Sequence, residues 1–471
     1  MKEKDRIVSE QELEAQRGYM RLVRQMEIPQ KKYHIVTLGC QMNVRDSETI
    51  AGMLDEMGLS PAPVREEADL VLYNTCCVRE NAENRALGNV IWLKELKKEK
   101  PELLICVGGC MMQEDGVAAS LKANYPFIDL IFGTHNLHRL PELLFRVLSE
   151  RQPVVEVFDG EGVIAEGLPV RRSGRYSAFI NIMYGCNNFC SYCIVPFVRG
   201  RERSRAMRDV LDEADQLLQD GIQEITLLGQ NVNSYQGGGG AFTELLYRLD
   251  RMGVPRIRFM TSHPKDLSDE LIAAYAELPH LCKQLHLPVQ AGSDRILKLM
   301  NRGYTRDRYL ALTERLRAVC PEIGLTSDLI VGFPGETDGE FEETLSLAER
   351  VRFDAAFTFI YSPRPGTRAA EMADGTPMGD KTRRIEQLIA LQGAITSEVL
   401  ASQVGSTRMV LVEAASTRNP GWISGKTDRG HMVNFPGNTE KIGRMMDVKI
   451  ESAGRNTLRG SADLYLMEEN Q

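Results

Sequence analysis

Three times before residue 111, a short run rich in Ile, Val and Leu leads into Gly or Asn and then into Cys. Residues 33–38 (YHIVTL) lead into Gly39-Cys40. Residues 68–73 (ADLVLY) lead into Asn74-Thr75-Cys76, and residues 103–107 (LLICV) into Gly108-Gly109-Cys110. Short continuous apolar runs bounded by turn residues are the pattern of strands buried on both faces, as parallel sheets require. Helical patterns at 47–57 and 81–100 lie between them, so residues 33–150 read as a parallel βαβ domain. In such sheets ligands collect at the carboxyl ends of the strands. Cys40, Cys76 and Cys110, 36 and 34 residues apart, therefore converge in space on this reading and form a three-thiol site. Buried core thiols are the rival reading.

The rest of the chain divides by pattern. Residues 151–175 lose the strand–helix alternation and end in Arg171-Arg172-Ser173-Gly174, a linker. Six strand-like runs then alternate with helical segments at 178–183, 224–228, 256–260, 284–289, 326–331 and 355–361. Six βα repeats over 176–403 predict a partial (βα)6 barrel, whose active site belongs at the carboxyl face. The four-glycine tract 237–240 reads as a surface loop. Residues 404–468 change to short β-prone pieces (407–413, 432–435, 446–450) with Gly, Asn and Pro turns, the signature of a small β-barrel. Residues 1–32 are polar and helix-prone, and read as a loosely attached extension. The fold class is α/β with a terminal β module.

Directly after the first barrel run, residues 185–193 read GCNNFCSYC, placing Cys186, Cys190 and Cys193 in a C-x3-C-x2-C spacing. Structural zinc wants a fourth protein ligand to close its tetrahedron, and no His lies within twenty residues on either side. Cys thiolates are the usual ligands of iron–sulfur clusters. Three of them leave one iron of a cubane bare, which is an open position for chemistry. Zinc and incidental buried thiols remain the alternatives at this point.

Composition bounds the partners and the compartment. No apolar run approaches the roughly 18 residues that span a bilayer, and the charged N-terminus (MKEKDRIVSEQELEAQ) lacks an apolar signal segment. The expectation is a cytoplasmic chain without a membrane partner, in which ten Cys are thiols or ligands and not disulfides. A net charge of −8 argues against wholesale binding to nucleic acid. Local charge differs: five Arg (199, 201, 203, 205, 208) follow the Cys loop, and 404–466 holds nine Lys/Arg against six Asp/Glu. Basic regions on an acidic body fit selective contact with a polyanion such as RNA. No G-x4-GK-S/T phosphate loop and no Ser–His–Asp arrangement is present, which leaves nucleotide hydrolysis and acyl transfer without support.

The Cys186–Cys190–Cys193 spacing, with Tyr192 before the last Cys, resembles the cluster loop of radical S-adenosylmethionine (SAM) enzymes. Cys40 in LGCQMN, Cys76 in NTCCVRENA and Cys110 in GGCMMQ resemble the N-terminal cluster domain of the methylthiotransferases within that superfamily. GCNNFCSYCIVPFVRGRERSR, LLGQNVNSY, LHLPVQAGSDRILKLMNRGYT, DLIVGFPGET and FIYSPRPGTRAAEM continue the likeness, and RNPGWISGKTD with VNFPG resembles a TRAM RNA-binding barrel. The resemblance covers about 33–468 in register. GQNVNSY, HLPVQAGSD and RNPG-x2-SGKTD single out the members acting on N6-(dimethylallyl)adenosine beside the anticodon of tRNA. The other branches act on threonylcarbamoyl-adenosine or on a ribosomal protein.

The resemblance implies two 4Fe–4S clusters, each held by three Cys, with one SAM as radical source and one as methyl donor. It implies a tRNA substrate and an unidentified low-potential electron donor. Tyr192 would pack near the adenine of SAM. Gly229, Gln230 and Asn231 after the second barrel run, Gln290 and Ser293 after the fourth, and Gly332 and Glu336 after the fifth would contact SAM. The Arg run would meet tRNA phosphates, help bind SAM, or pair with local acids. A non-catalytic RNA-binding protein with two zinc sites is the reading from another class. Oligomeric state is open, a monomer being the default.

One departure from the family pattern matters. Residue 77 is Cys where the family usually has Ser, so Cys76 and Cys77 compete as ligand. Strand alternation separates neighbours, and the Asn-Thr-Cys context favours Cys76. Cys106 reads as core; Cys282 and Cys320 carry no role. His135 and His138 read as a surface turn.

Overall fold

The computed structural model describes residues 7–26, 31–78, 80–158, 160 and 162–462, with side chains at 80–87 excepted. Residues 1–6 and 27–30 of the expected extension, and 463–468 of the expected terminal module, lie outside the described residues.

The three N-terminal runs form strands Lys32–Thr37, Leu70–Thr75 and Leu104–Gly109, side by side and parallel. The middle strand is buried at every residue. Three further strands complete the six-stranded sheet: Ser60–Pro61 on one edge, then Leu130–Phe132 and Val154–Glu156 on the other. The last of these lies inside the expected linker. It continues the sheet because Val154 pairs with Leu130, and Val154 is buried. The polar extension also behaves otherwise than expected. Its helix Glu10–Gln25 buries Leu13, Gln16, Met20 and Val23, spaced three or four apart on one face. Met20 and Val23 join the core that contains Leu54 and Leu143, so this helix docks.

The six barrel runs appear as Ser177–Asn181, Glu224–Leu228, Ile257–Phe259, Gln284–His286, Gly324–Val331 and Ala355–Ile360. The first three form one parallel sheet and the last three another. A parallel bridge from Ile257 to Leu281 joins the two halves into a partial barrel. Ile180, Leu227, Leu285 and Leu325 from the strands pack with helix residues Leu245, Leu316 and Phe341 as one core. The glycine tract forms a small hairpin, Gln236–Gly237 with Gly240–Ala241.

The terminal segment closes into a five-stranded barrel. It docks at the amino ends of the large barrel's strands: Arg256 and Arg258 donate to the carbonyls of Lys426, Thr427 and Asp428. On the far side, Asp354 accepts from Arg429 at 2.7 Å and pairs with His431 at 2.7 Å.

Two ion pairs cross from the N-terminal sheet domain to the large barrel, Arg45–Glu213 at 2.7 Å and Arg199–Asp46 at 2.6 Å, and buried Arg205 extends the seam by pairing with Glu213 and with Glu166 of the connecting segment at 2.7 and 2.6 Å. A cavity of about 480 Å³, bordered by Arg45, Asp46, Glu166, Arg199 and Glu213, lies in that seam. Among the described residues no helix is long and apolar enough to cross a membrane.

Candidate functional site

The parallel register decides where the first three thiols lie. Thr37 pairs with Asn74, and Thr75 with Gly109, so the three strands end level and the residues that follow emerge together. Cys40 caps helix Gln41–Glu56, Cys76 follows its strand directly, and Cys110 opens a short 3-10 turn. Two glycines make the approach possible. Gly39 has φ 107°, and a Cβ there would stand 2.6 Å from the Cys76 sulfur. Gly109 has φ 100°, and its Cβ would meet the Thr75 carbonyl at 2.4 Å.

A polar clamp fixes the strand ends. The Asn43 amide donates to the carbonyls of Leu38 and Thr75, both at 2.8 Å. Asn74 donates to the Asn43 carbonyl and the Ser47 hydroxyl, both at 2.9 Å. Arg199 crosses from the barrel domain to complete the clamp. Its Nε donates to the Cys110 sulfur at 3.1 Å, and its other nitrogen to Asn43 at 2.8 Å and Asp46 at 2.6 Å.

The charge consequences differ among the thiols. Burial pushes Cys76 up to about 12 and also raises Cys40. Cys110 is pulled down by a hydrogen bond from Cys77, with Arg199 adding to it against burial. Thiolate, not thiol, is the ligand form. Cys77 is fully buried and packs with Cys110, Tyr73 and Val107. The two neighbouring Cys are thus both near Cys110, and strand alternation does not separate them, because the strand has already ended at Thr75.

The second trio follows the first barrel strand within one loop. The loop is pinned from the opposite side of the barrel. Asn301 donates to the carbonyls of Asn188 and Phe189, Ser191 N–H to the Met300 carbonyl, and the Ser191 hydroxyl to the Leu299 carbonyl. Arg302 donates to the Cys190 sulfur at 3.2 Å, to the Pro288 carbonyl at 2.7 Å and to the Tyr304 hydroxyl at 2.9 Å. Burial pushes Cys186 up to about 11 and Cys193 up to about 12. Among the described residues no three His, Cys, Asp or Glu are gathered to hold a single metal ion.

Beside the second trio opens a cavity of about 580 Å³. Tyr192, Cys193, Gln290, Asp328 and Tyr361 line it, and Val78, two residues beyond Cys76, reaches it from the N-terminal domain. The Arg364 guanidinium donates to the Val78 carbonyl at 3.4 Å and fastens that wall.

The other residues singled out for SAM are placed differently. Gly229 packs against Met183, and Asn231 donates to Asp266 at 2.7 Å, while the buried oxygens Gln230 Oε1 and Asn231 Oδ1 have no hydrogen-bond partner among the described residues. Gln290 lines the cavity at φ 77°. Ser293 donates to Glu340 at 3.2 Å. Glu336 accepts from Gly332 N–H at 2.7 Å and from Arg384 at 3.0 Å. The structure brings Tyr192, Cys193 and Gln290 to the same cavity; Gly229, Gln230, Asn231, Ser293, Gly332 and Glu336 do not line it.

Two expectations change, and two residues join the site. Arg199, Arg203 and Arg205 are buried, held by carboxylates and carbonyls of the seam, so only Arg201 and Arg208 of that run present themselves to solvent. His135 and His138 are buried rather than in a surface turn, with His138 paired to Glu12 at 3.1 Å. Arg302 and Asn43 were missed as site residues, although both stand inside quoted motifs, MNRGYT and LGCQMN.

Comparison with known proteins follows the same division of the chain. The Radical SAM superfamily matches residues 180–348, the uncharacterized protein family UPF0004 residues 32–133, and the TRAM domain residues 401–462. A tRNA-2-methylthio-N(6)-dimethylallyladenosine synthase from Carboxydothermus hydrogenoformans is 51% identical over 425 residues, 89% of this chain and 97% of that protein. The protein of the same name from Syntrophomonas wolfei is 52% identical over 433 residues, 91% of this chain and 97% of its own length. Among solved structures, the radical S-adenosylmethionine methyltransferase TsrM from Kitasatospora setae aligns with a TM-score of 0.51 at 15% identity. That match covers 84% of this chain and 78% of TsrM, and is a likeness of fold.

Proposed function

This chain belongs to the family of the tRNA-2-methylthio-N(6)-dimethylallyladenosine synthases, and from that premise we propose how its residues divide the work. It is a radical SAM methylthiotransferase whose substrate is tRNA carrying N6-(dimethylallyl)adenosine beside the anticodon. Cys186, Cys190 and Cys193 hold one 4Fe–4S cluster; Cys40, Cys76 and Cys110 hold a second. The donor sets fit. Each trio offers sulfur alone, most of its thiols are buried, and in each a guanidinium donates to one sulfur. Such outer hydrogen bonds tune cluster sites.

With cluster and SAM bound, the site supplies one-electron chemistry able to break an aromatic C–H bond, which has no acidity for a His or Glu to exploit. The protein's own part is positioning. Tyr192 and Gln290 form the seat for SAM beside Cys193, with Gly229, Gln230 and Asn231 at the neighbouring strand end. Ser293, Gly332 and Glu336 brace the loops behind that seat through Glu340 and Arg384. Arg302 fixes Cys190, and Arg199 with Asn43 fixes Cys110. A second SAM serves as methyl donor at the N-terminal trio, an external low-potential donor supplies electrons, and the terminal barrel holds RNA.

The observation that carries this reading is the shared cavity, which is lined both by Cys193 and by Val78, two residues beyond Cys76. The test is mass spectrometry of tRNA nucleosides from a deletion strain without a paralogue. The 2-methylthio nucleoside should vanish and its dimethylallyl precursor accumulate; persistence of the product refutes the assignment. Anaerobic reconstitution should give about eight irons per chain, whereas colourless protein with stoichiometric zinc would support the non-catalytic alternative.

A further inference from the structure

The Cys loop also presents a surface to solvent. Phe197, in the short helix Val195–Val198, is 51% exposed. Phe189, between Cys186 and Cys190, is half-buried and meets it edge-on, ring centroids 6.2 Å apart and planes at 90°. The Arg201 guanidinium lies over the Phe189 ring, 4.3 Å from its centroid. Arg201 is exposed and makes no ion pair among the described residues, unlike Arg199 and Arg205 of the same run.

Phe189 holds φ 46°, a left-handed conformation that is uncommon outside Gly, Asn and Asp. Asn301 fastens its carbonyl there at 3.0 Å. Backbone strain kept in place by its neighbours clusters at functional sites. Here it keeps a large aromatic ring in the outer surface of the loop, where Arg201 and Phe197 reach it.

We propose that Phe197, Phe189 and Arg201 form a stacking platform for one unpaired base of the anticodon loop, holding the RNA against the face where the chemistry occurs. This rests on the tRNA substrate assigned above and deepens it. Single-stranded loops are recognised by stacking unstacked bases on aromatic rings and on guanidinium planes, and a base presents a π-face whatever its identity. An exposed Phe paired with an aromatic that already carries a cation matches that chemistry. An apolar protein partner would leave the Arg201 charge without a counterpart.

The test uses reconstituted holoenzyme and an anticodon stem-loop RNA carrying N6-(dimethylallyl)adenosine, with binding read by fluorescence anisotropy. Phe197→Ala and Arg201→Gln should each weaken binding about tenfold and raise KM for the RNA, with iron content and melting temperature at wild-type values. Phe197→Trp should restore binding, because the aromatic face is kept. Equal affinity of Phe197→Ala and wild type would overturn the platform and leave the substrate assignment standing. Failure of wild-type holoenzyme to bind the stem-loop would overturn both.

Discussion

The two thiol trios offer the same donors and are assembled in opposite ways. One is contained in residues 186–193, a single loop whose backbone is already turned back on itself by the Cys193 N–H to Cys190 carbonyl bond. The other is drawn from the ends of three strands within residues 40–110, and exists only once those strands have aligned. Each trio has one buried Arg on one sulfur. Arg302 comes from the barrel's own loop, whereas Arg199 reaches over from the neighbouring domain and also meets Asp46. A local trio is a property of its loop. A dispersed trio is a property of the sheet and of whatever docks on it.

The largest expected effects come from the ligands. Cys186→Ala should abolish SAM cleavage, and Cys40→Ala should spare SAM cleavage and abolish methylthio product. Each should remove about half of the bound iron. Iron assay with product analysis checks this, and loss of SAM cleavage in Cys40→Ala would erase the distinction between the sites.

The arginines should differ next. Arg199→Leu leaves the Asp46 carboxylate buried without its cation and should cost about 4 kcal/mol. Arg302→Leu abandons a sulfur, a carbonyl and a hydroxyl but no carboxylate, and should cost about 2 kcal/mol. Thermal unfolding of the two holoenzymes gives the order. Each substitution should also lower the reduction potential of its own cluster, read by potentiometric EPR, since a cationic donor to a sulfur is removed.

The smallest effect separates neighbours. Cys76→Ala should lose iron, whereas Cys77→Ala should keep it and lose only the hydrogen bond to Cys110, about 1 kcal/mol. Iron retained in Cys76→Ala and lost in Cys77→Ala would reverse the ligand assignment.

This contrast also explains what could be read in the sequence. The loop trio is visible as a spacing. The dispersed trio is visible only because three apolar runs end in the same way, and that repetition works because parallel strands put their ends at one edge. The barrel strands were legible as short apolar-rich runs, most clearly Glu224–Leu228 and Gly324–Val331, which are buried along nearly their whole length. Val154–Glu156 was not, since three residues are too few to show a period and its burial comes from the partner strand Leu130–Phe132. Trp422–Thr427 and Leu458–Ser461 escaped likewise, their Gly and polar residues hiding strands that the closed barrel supplies with partners.

The Arg run misled for a different cause. In sequence it looks like a basic surface, because two of its counter-charges, Asp46 and Glu166, are 153 and 39 residues away along the chain from Arg199 and Arg205. Docking of the N-terminal domain brings Asp46 to Arg199, and the segment that joins the two domains brings Glu166 to Arg205, both at 2.6 Å. Charge patterning is a local record, and burial is not.

The terminal barrel grips the large barrel at the amino ends of its strands, through Arg256 and Arg258, while both cysteine trios stand at carboxyl ends. The eight-residue strand Gly324–Val331 is about 23 Å from end to end, which bounds the distance between the two ends of the large barrel. If the terminal barrel holds RNA as proposed, an RNA that also reaches the cysteine loop would lie along the flank of the large barrel, and a stem too short to bridge that length would engage one end only.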